Sequence, residues 1–514
     1  MDNWLNNAVV YEVYPQTFCD SNGDGIGDLP GLMQKLDYIA DCGFSVIWLH
    51  PVNESAFRDA GYDITDYYKV APRYGTNEDF RELCRQAHKR GIKIIYDLVA
   101  GHTSIDHPWF QESAKAEKNA YTNRYIWTNG IFEKGPGIRG YSQRDGNYVP
   151  NFFWSQPSLN YGYANPTEEW QLPVDHPDCI ATKEELKKIM YFWMDMGVDG
   201  FRVDLASTLI KGDKEGHITR SFWQELKAHV KAKDPDFLLV SEWGKPARAV
   251  WTGFDCDFLL HCYDPAYTSL FRHEKGRNIT NEYIGHSYFD KAGKGDIRTF
   301  LSHFLSEMEK IGNDGTIGLI SGNHDMPRIG YGRTQEDMKV AMTFLLTMPG
   351  VPFVYYGDEI GMDFIKDLPS KEGGYARTGA RTPMQWNNGK NHGFSQSDEP
   401  YLPTDGKHDA PTVEEQLQDK DSLLHLVKKL VHLRKNNPGF SHVSTLQILA
   451  EGYPFLYSRE AGDRKFLVAV NPSAEEKECT VPALKEIIVS HNVEVTEAGL
   501  RMGGVSCLVA EVSE

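Results

Sequence analysis

The feature that most constrains this chain is a series of eight short apolar segments that alternate with helical patterns over about 430 residues. Each segment is rich in β-branched and aromatic residues and too short to be a helix. Such alternation is typical of an α/β protein, and eight repeats predict a (β/α)₈ TIM barrel. We predict its strands at Val9–Tyr14, Val46–Leu49, Ile94–Leu98, Gly197–Asp204, Phe237–Glu242, Phe258–Leu260, Thr316–Ile320 and Val351–Tyr355.

The segments between the strands carry helix start and stop signals. Thr76-Asn-Glu-Asp79 predicts the beginning of a helix that ends at Gly91. Thr182-Lys-Glu-Glu185 has the pattern of a capping box and precedes apolar residues at helical spacing, so we expect a helix over 183–196. A further helix near 421–435 would complete the barrel.

The alternation breaks at two places, which suggests two additional domains. Residues 104–164 are rich in Gly, Pro, Asn and aromatic residues, and this predicts a small subdomain inserted after the third strand. After residue 438, strand patterns such as Lys465–Val470 and Val505–Val509 predict a C-terminal antiparallel β-sandwich. The expected division is 1–103 and 165–438 for the barrel, 104–164 for the inserted domain and 439–514 for the C-terminal domain.

The composition limits the partners that we expect. There are 54 Lys and Arg residues against 72 Asp and Glu, a net charge of −18, which argues against nucleic acid or an anionic membrane. The eight cysteines form no close CxxC pair, which is typical of reduced thiols. With no signal-peptide pattern and no 18-residue apolar run, we expect a cytoplasmic protein. The negative charge is compatible with a neutral, hydroxyl-rich substrate such as a small oligosaccharide, and we expect a monomer or a homodimer.

Charged and polar residues follow several of the predicted strands. Functional residues of such a barrel lie at the carboxyl ends of its strands. Those found there are Asp97, His102, Arg202, Asp204, Glu242, His324 and Asp325. Hydrolysis of a glycosidic bond needs one carboxylate to attack the anomeric carbon and one carboxylic acid to protonate the leaving oxygen. The set therefore predicts chemistry on glycosides.

Local neighbours suggest different tasks for two of these carboxyl groups. Arg202 and Asp204 lie two positions apart and so share one face of a strand, where the guanidinium favours an ionised nucleophile at Asp204. Trp243 follows Glu242 and offers an apolar neighbour that would keep this acid protonated. A structural ion pair is the alternative interpretation of Arg202 and Asp204, but it does not explain three carboxylates at matching strand ends.

A metal site is predicted in Asp20-Ser-Asn-Gly-Asp-Gly-Ile-Gly-Asp28. Oxygen ligands at alternate positions, with glycines at the turn, are typical of a calcium loop. It is not an EF-hand, because the twelfth position is Gly31 rather than Glu. We expect one structural Ca²⁺ held by Asp20, Asn22, Asp24, Asp28 and the carbonyl of Ile26.

Four motifs resemble those of a known family. Asp97-Leu-Val-Ala-Gly-His102, Gly200-Phe-Arg-Val-Asp204, Ser241-Glu-Trp243 and Ser321-Gly-Asn-His-Asp325 are similar to motifs of the α-amylase superfamily, glycoside hydrolase family 13. The resemblance covers nearly the whole chain and implies a retaining mechanism. It implies Asp204 as nucleophile, Glu242 as acid/base and Asp325 as the group that stabilises the transition state. It also implies that His102, Arg202 and His324 line the sugar subsite and that Tyr62 stacks on the sugar.

Within the superfamily, the chain is most similar to the oligo-1,6-glucosidase and α-glucosidase group. The similarity lies in Ser21–Asp28, Gly61–Ile64, Gln156–Asn160 and Ala380–Trp386. It implies that Asp63, Arg377 and Arg381 close the pocket around the 4-hydroxyl of a terminal glucose. It also implies that the group's single metal ion binds the loop at 20–28.

Three positions depart from the pattern of that group. Gly101 replaces the usual Asn before the active-site His, so a second calcium of the amylase type is not expected. Ser158 replaces the usual Asp of its motif. Leu205, after the predicted nucleophile, is neither Val nor Ala or Thr, and the preference between α-1,4 and α-1,6 linkages therefore stays open.

The sequence favours a retaining exo-acting α-glucosidase of short α-glucosides. The alternative within the same fold is a glucosyltransferase or isomerase, trehalose-synthase-like or sucrose-using, since both form a covalent glucosyl-enzyme. An endo-amylase and an inactive binding subunit are less favoured. All three carboxylates are present, which an inactive subunit would not need to keep.

Overall fold

The computed structural model describes residues 3–133, 137–260, 265–272, 286–442 and 444–513. The first strands are β1 (Val10–Val13), β2 (Val46–Leu49), β3 (Asn53–Ser55), β4 (Ile64–Val70), β5 (Lys93–Leu98), β6 (Gly200–Val203), β7 (Leu238–Ser241), β8 (Cys256–Phe258), β9 (Thr316–Ile320) and β10 (Val351–Tyr355). The α-helices are α1 (Leu29–Gln34), α2 (Leu36–Asp41), α3 (Asn77–Lys89), α4 (Pro108–Ser113), α5 (Pro177–Met196), α6 (His217–Lys233), α7 (Pro246–Thr252), α8 (Pro265–Phe271), α9 (Ile297–Ile311), α10 (Gln335–Thr347), α11 (Val413–Gln418) and α12 (Leu423–Asn436).

Eight of these strands close into a parallel barrel in the order β1-β10-β9-β8-β7-β6-β5-β2. The predicted (β/α)₈ barrel is therefore confirmed. Asp97 on β5 pairs with Arg202 on β6, and Arg202 pairs with Val240 on β7. This parallel register brings the charged strand ends to the same rim of the barrel.

The sixth barrel strand lies two residues earlier than predicted. It contains Asp257, a charged residue that the apolar pattern excluded from a strand. The buried carboxylate is tolerated because it accepts hydrogen bonds from the Ser241 hydroxyl (2.7 Å) and from the N–H groups of Trp243 (3.0 Å) and Lys245 (2.8 Å). Asp257 thereby fixes the turn that follows β7, where Glu242 lies.

Helix α5 begins earlier than its sequence signals suggest. Pro177 occupies the first turn, and the His176 imidazole accepts the N–H of Asp178 at the N-terminus. Thr182 lies one turn inside the helix and donates its hydroxyl to the Asp178 carbonyl (2.9 Å). The predicted capping box at Thr182 is therefore wrong. The helix ends at Gly197, whose φ of 108° is the left-handed conformation that favours glycine.

A two-stranded hairpin, β3–β4, leaves the barrel after β2 and was not predicted. Its strands are short, and their pairing has register shifts, so no simple alternation of polar and apolar residues marks them. The hairpin loop at 56–63 carries Tyr62 and Asp63 to the mouth of the barrel.

The C-terminal strands are β11 (Thr445–Ala450), β12 (Phe455–Ala461), β13 (Arg464–Asn471), β14 (Lys477–Cys479), β15 (Leu484–Thr496) and β16 (Gly499–Val512). All six belong to one antiparallel sheet, in the order β11-β12-β13-β16-β14 with β15 also on β16. This differs from the predicted two-layer sandwich. One face needs no second sheet because it packs on α10, where Thr343 contacts Cys507 and Thr347 contacts Tyr457. The other face has its own apolar cluster, and bulges between β15 and β16 bend the sheet around it.

A buried acid near the barrel closure gives a prediction on pH and stability. Glu359 accepts the hydroxyls of Tyr11 (2.7 Å) and Tyr38 (2.8 Å) on one oxygen, and its other oxygen has no partner. Burial raises the pKa of Glu359 from 4.5 to about 7. The folded protein therefore retains a proton that the unfolded chain has lost, and this acid makes folding less favourable as the pH rises from 4.5 to 7.

We expect Glu359→Gln to gain stability relative to the wild type as the pH is raised from 5 to 8. The gain should reach a few kcal/mol, because each unit by which burial raises the pKa corresponds to about 1.4 kcal/mol. Denaturant unfolding at pH 5, 6.5 and 8 measures it, with the exposed Glu414→Gln as the matched control. A stability difference that does not change with pH would contradict this reading of Glu359.

Candidate active site

Arg202 lies at the centre of the cluster of charges on the barrel rim. Its guanidinium contacts Asp97 (2.8 Å), Asp204 (3.3 Å) and Glu242 (2.9 Å), and the Arg202 side chain is buried. The structure thus brings together three acids that are far apart in sequence. Because one cation cannot neutralise three anions, the protonation states of these acids depend on one another.

Asp97 is the most enclosed of the three acids. Besides Arg202, it accepts hydrogen bonds from the Trp48 indole (3.1 Å) and the Tyr62 hydroxyl (2.9 Å). Burial raises the pKa of Asp97 to about 6, although Arg202 acts in the opposite direction. Because both carboxylate oxygens of Asp97 accept hydrogen bonds from neighbouring side chains, Asp97 is suited to orient Arg202 and Tyr62 rather than to react.

Asp204 and Glu242 compete for the same guanidinium. Burial and the nearby Glu242 carboxylate raise the pKa of Asp204, and Arg202 only partly offsets them. Glu242 has a second donor, the N–H of Leu205 (3.0 Å), which the left-handed backbone of Leu205 (φ 43°) turns toward it. Arg202 therefore does not single out Asp204 in the way that the sequence suggested, because Glu242 lies closer to the same guanidinium (2.9 Å against 3.3 Å).

Asp325 is surrounded by cationic and polar groups. It contacts Arg377 (2.6 Å), Arg381 (3.2 Å) and the Nε2 atom of His324 (3.2 Å). Burial alone would raise the pKa of Asp325, but His324 and the two guanidiniums outweigh it and hold the pKa well below its usual range. Asp325 is therefore an anion at any working pH.

Asp63 does not lie with Arg377 and Arg381, and this corrects a predicted site residue. Asp63 is 0% exposed, and its carboxylate accepts the Ser55 hydroxyl and the N–H groups of Arg58 and Asp59. It stabilises the hairpin loop instead of facing the pocket.

Asp59 takes the place that was assigned to Asp63. Its carboxylate lies 3.8 Å from the Arg377 guanidinium and accepts the Gln156 amide (2.8 Å). Burial raises the pKa of Asp59 to about 6, and Arg377 opposes that rise. Asp59 and Asp325 therefore lie on either side of Arg377, where hydroxyls of a sugar could be gripped.

Tyr62 and His324 lie beside these groups as predicted, whereas His102 lies behind them. The rings of Tyr62 and His324 are nearly parallel, with centroids 5.3 Å apart. His102 is buried, and its Nε2 bonds the Tyr62 carbonyl (2.9 Å) while its Nδ1 bonds the Asn151 amide (3.1 Å). Both nitrogens are thus engaged with the protein, and His102 acts on the site by holding Tyr62.

Asn151, from the inserted segment, explains why glycine is present at position 101. A Cβ atom at Gly101 would lie 2.7 Å from the Asn151 amide nitrogen. The Asn151 side chain also accepts a hydrogen bond from the buried amine of Lys211 (3.1 Å). Asn151 therefore fills the space beside His102 that an Asn at 101 would need. Sequence analysis missed both Asn151 and Lys211, because neither adjoins a strand-end motif.

We expect Gly101→Asn alone to lower kcat/KM and the melting temperature, since its side chain would collide with Asn151. The double variant Gly101→Asn with Asn151→Gly should recover most of both losses. A coupling energy of roughly 1–3 kcal/mol in this double-mutant cycle would show that the side chains at 101 and 151 compete for the same space. Additive losses in kcat/KM and in melting temperature would contradict it.

The predicted calcium loop is well ordered by its own hydrogen bonds. Asp20, Asn22 and Asp24 each accept the N–H of the residue two positions later, and Ile26 is half-buried between them and Asp28. Asp28 caps α1 through the Gly31 N–H (2.6 Å) and accepts the Ser21 hydroxyl (2.9 Å). Asp20 is engaged to a similar extent, since it also accepts the N–H groups of Gly23 (2.7 Å) and Gly25 (2.8 Å). The hydrogen bonds therefore do not separate Asp28 from the other predicted oxygen ligands.

A (β/α)₈ barrel with interacting carboxylates and a guanidinium on its carboxyl rim defines a glycoside-processing enzyme. Comparison with known proteins gives the family. The alpha-amylase catalytic domain model matches residues 12–442, and the chain belongs to this family of glycoside hydrolases, as an enzyme of the α-glucosidase type.

Similar proteins align with this chain from end to end. It is 32% identical to a glucan 1,6-alpha-glucosidase of Streptococcus pneumoniae and 32% identical to an oligo-1,6-glucosidase of Parageobacillus thermoglucosidasius, each over 96% of both chains. Among solved structures, the trehalulose synthase MutB of Pseudomonas mesoacidophila MX-45 is 25% identical, with a TM-score of 0.83 over 100% of both chains.

Among the described residues, no helix combines the length and the apolar character needed to cross a lipid bilayer.

Proposed function

We propose that this protein is a retaining, exo-acting α-glucosidase that releases glucose from the non-reducing end of short α-glucosides. The observation that carries the proposal is the pairing of two clusters on one rim. Arg202 holds Asp97, Asp204 and Glu242, and beside them Arg377 lies between Asp59 and Asp325. The first cluster supplies the chemistry, and the second supplies polar groups for a terminal sugar. The names of the two glucosidase relatives support the same activity.

In the proposed reaction, Asp204 attacks the anomeric carbon while the bond to the leaving oxygen breaks. Glu242 gives its proton to that oxygen, which leaves as the hydroxyl of the shortened sugar. Glu242, now ionised, takes a proton from water, and the resulting hydroxide displaces Asp204 from the glucosyl carbon. Two inversions at the anomeric carbon return the α configuration. This sequence of steps requires an ionised Asp204 and a protonated Glu242 when the sugar binds.

The neighbouring charges support this sequence. Asp325 is held as an anion by Arg377 and Arg381, and its charge would stabilise the positive charge that develops on the sugar ring. Asp97 accepts hydrogen bonds from Arg202 and from the Tyr62 hydroxyl and so fixes the position of Arg202, whose guanidinium does not have to reorganise during the reaction.

Glucosyl transfer is the second candidate, because the covalent intermediate is the same and only the acceptor differs. The structural similarity to a trehalulose synthase favours keeping it. Product analysis on maltose, isomaltose, trehalose, sucrose and maltodextrins, with and without added sugar acceptors, separates the two. Glucose as the main product from an α-glucoside supports the hydrolase, and an isomerised disaccharide from sucrose without free glucose would refute it.

We also propose that the loop at 20–28 binds one structural Ca²⁺ through Asp20, Asn22, Asp24, Asp28 and the Ile26 carbonyl. The alternating oxygens and the turns they form support it. Chelation should lower the melting temperature more than the initial rate, because the ion binds only the folded loop. Asp24→Ala should abolish this response to chelator and added Ca²⁺. The idea fails if metal content and melting temperature are unchanged in that variant.

We also propose that the protein is cytoplasmic and is a monomer or a homodimer. The seven cysteines within the described residues carry no disulfide, as expected in a reducing compartment. Cys262 lies outside the described residues. Light scattering of the purified protein tests the oligomeric state.

A further inference from the structure

A buried group of three side chains lies beside the sugar site, and two of its members have no role in the proposed reaction. The group consists of Glu12 on β1, His50 after β2 and His324 after β9. They are 0%, 1% and 3% exposed. Each offers one oxygen or nitrogen atom, and these atoms all lie within 4.8 Å of one another. Sequence analysis missed Glu12, which lies inside an apolar strand, and His50, which follows the second strand directly.

The hydrogen bonds within this group leave lone pairs unsatisfied. His50 Nε2 lies 2.8 Å from one Glu12 oxygen, and His324 Nδ1 lies 3.6 Å from the same oxygen, too far for a hydrogen bond. The Nε2 atom of His324 lies 3.2 Å from the anionic Asp325, so its proton belongs on that side. His324 Nδ1, His50 Nδ1 and the second Glu12 oxygen are buried atoms without a hydrogen-bond partner.

From this arrangement we infer that Glu12, His50 and His324 form a binding site for one divalent first-row transition-metal ion, of which Zn²⁺ is the probe. An ion bonded to two imidazole nitrogens and one carboxylate oxygen at about 2.0–2.2 Å has donor atoms roughly 3.3 Å apart in tetrahedral geometry. The two separations that involve the Glu12 oxygen, 2.8 and 3.6 Å, lie on either side of that value, and the two imidazole nitrogens lie within 4.8 Å of each other. Side-chain rotation would bring the three atoms to the spacing that the ion requires.

The donor set selects the kind of ion. Two imidazoles with one carboxylate suit Zn²⁺ and similar ions, whereas Ca²⁺ requires six to eight oxygen ligands. Six carboxyl groups, those of Glu12, Asp59, Asp97, Asp204, Glu242 and Asp325, share this region with the guanidiniums of Arg202, Arg377 and Arg381. Binding of the ion requires Glu12 to be ionised, and the charge of the ion favours that form.

Such an ion would fix the ring that faces the sugar. His324 would bind it through Nδ1 and keep Nε2–H directed at Asp325, so its tautomer and orientation would be set from below. The site is distinct from the oxygen-rich loop at 20–28 and goes beyond the proposed glucosidase function. Whether this metal site exists does not depend on which glycoside is the substrate.

Metal binding to the purified, untagged protein tests the inference. The protein is stripped with chelator, dialysed against stoichiometric Zn²⁺ and analysed for zinc content and melting temperature. We expect one Zn²⁺ per chain and a higher melting temperature. Glu12→Gln and His50→Gln should each weaken Zn²⁺ binding by at least tenfold, and Asp24→Ala, in the calcium loop, should not change it.

X-ray absorption on the zinc-loaded wild type gives a second readout that does not depend on variants folding. Only nitrogen and oxygen neighbours near 2.0–2.1 Å, with imidazole scattering, would support the site. A sulfur shell near 2.3 Å would assign the zinc to a cysteine and overturn the inference. So would the absence of stoichiometric zinc, or equal binding by the wild type and both Glu12 and His50 variants.

Discussion

Asp204→Ala is expected to lower kcat on the order of 10⁴-fold or more while the protein stays folded. The substitution removes the carboxylate that forms the covalent bond, and losses of this size follow when a nucleophile is deleted. Glu242→Gln should be similarly impaired on substrates with poor leaving groups, since no proton reaches the departing oxygen. Initial rates on a disaccharide measure both, and Asp409→Ala, an exposed acid far along the chain, is the matched control. An Asp204→Ala variant that retains most of its activity would contradict the assignment.

Added azide separates the two roles, which loss of activity alone cannot do. In Asp204→Ala, azide can occupy the vacated space and attack an activated α-glucoside once, giving a β-glucosyl azide. In Glu242→Gln, the glucosyl-enzyme still forms from an activated substrate, and azide attacks it to give an α-glucosyl azide. Exchanged stereochemistry between the two variants would mean that the nucleophile and the acid have been assigned the wrong way round.

Asp59→Ala is expected to have the second largest effect, a fall in kcat/KM of about 10- to 100-fold. The Asp59 carboxylate is buried beside Arg377, and its loss removes one of the two carboxylates that flank this guanidinium, together with the acceptor of the buried Gln156 amide. An unpaired buried polar group costs roughly 1–3 kcal/mol. The loss should appear mainly in KM and should be larger for substrates with an unmodified 4-hydroxyl than for their 4-deoxy analogues.

Asp63→Ala provides the matched comparison. Its carboxylate holds the hairpin loop through three hydrogen bonds, so we expect a lower melting temperature and a smaller change in the 4-hydroxyl preference. If Asp63→Ala instead abolishes that preference while Asp59→Ala keeps it, the placement of the two acids relative to the pocket is wrong.

These two acids show where sequence reasoning reached its limit. The segment Asp59-Ala-Gly-Tyr-Asp63 contains an acid on either side of a tight loop, and nothing in the local pattern says which one faces outward. The answer depends on the contacts of Asp59 with Gln156 and Arg377, which come from distant parts of the chain. The strand ends were easier to predict, because apolar periodicity locates a strand and the barrel rule locates its carboxyl end.

Other parts of the site were hidden for related reasons. In the sequence, Gly101 lacks the side chain that the resembling enzymes have at this position. Only the structure shows that the Asn151 side chain occupies the corresponding space. Glu12 lies in the middle of an apolar strand, where a charged residue carries no signal until its neighbours are known. The second hydrogen-bond donor of Glu242 was hidden as well, because it is the N–H of Leu205, which a left-handed backbone turns toward the carboxylate.

The most direct test of the central claim, retaining exo-hydrolysis, is proton NMR of the earliest products from maltoheptaose and from an isomalto-oligosaccharide of similar length. For at least one of the two substrates, we expect glucose to be released first, in the α configuration before mutarotation, together with a chain shortened by one unit. Release of β-glucose would contradict the retaining mechanism. A spread of products from two to five units would mean an open cleft and contradict the pocket formed by Asp59, Arg377 and Asp325.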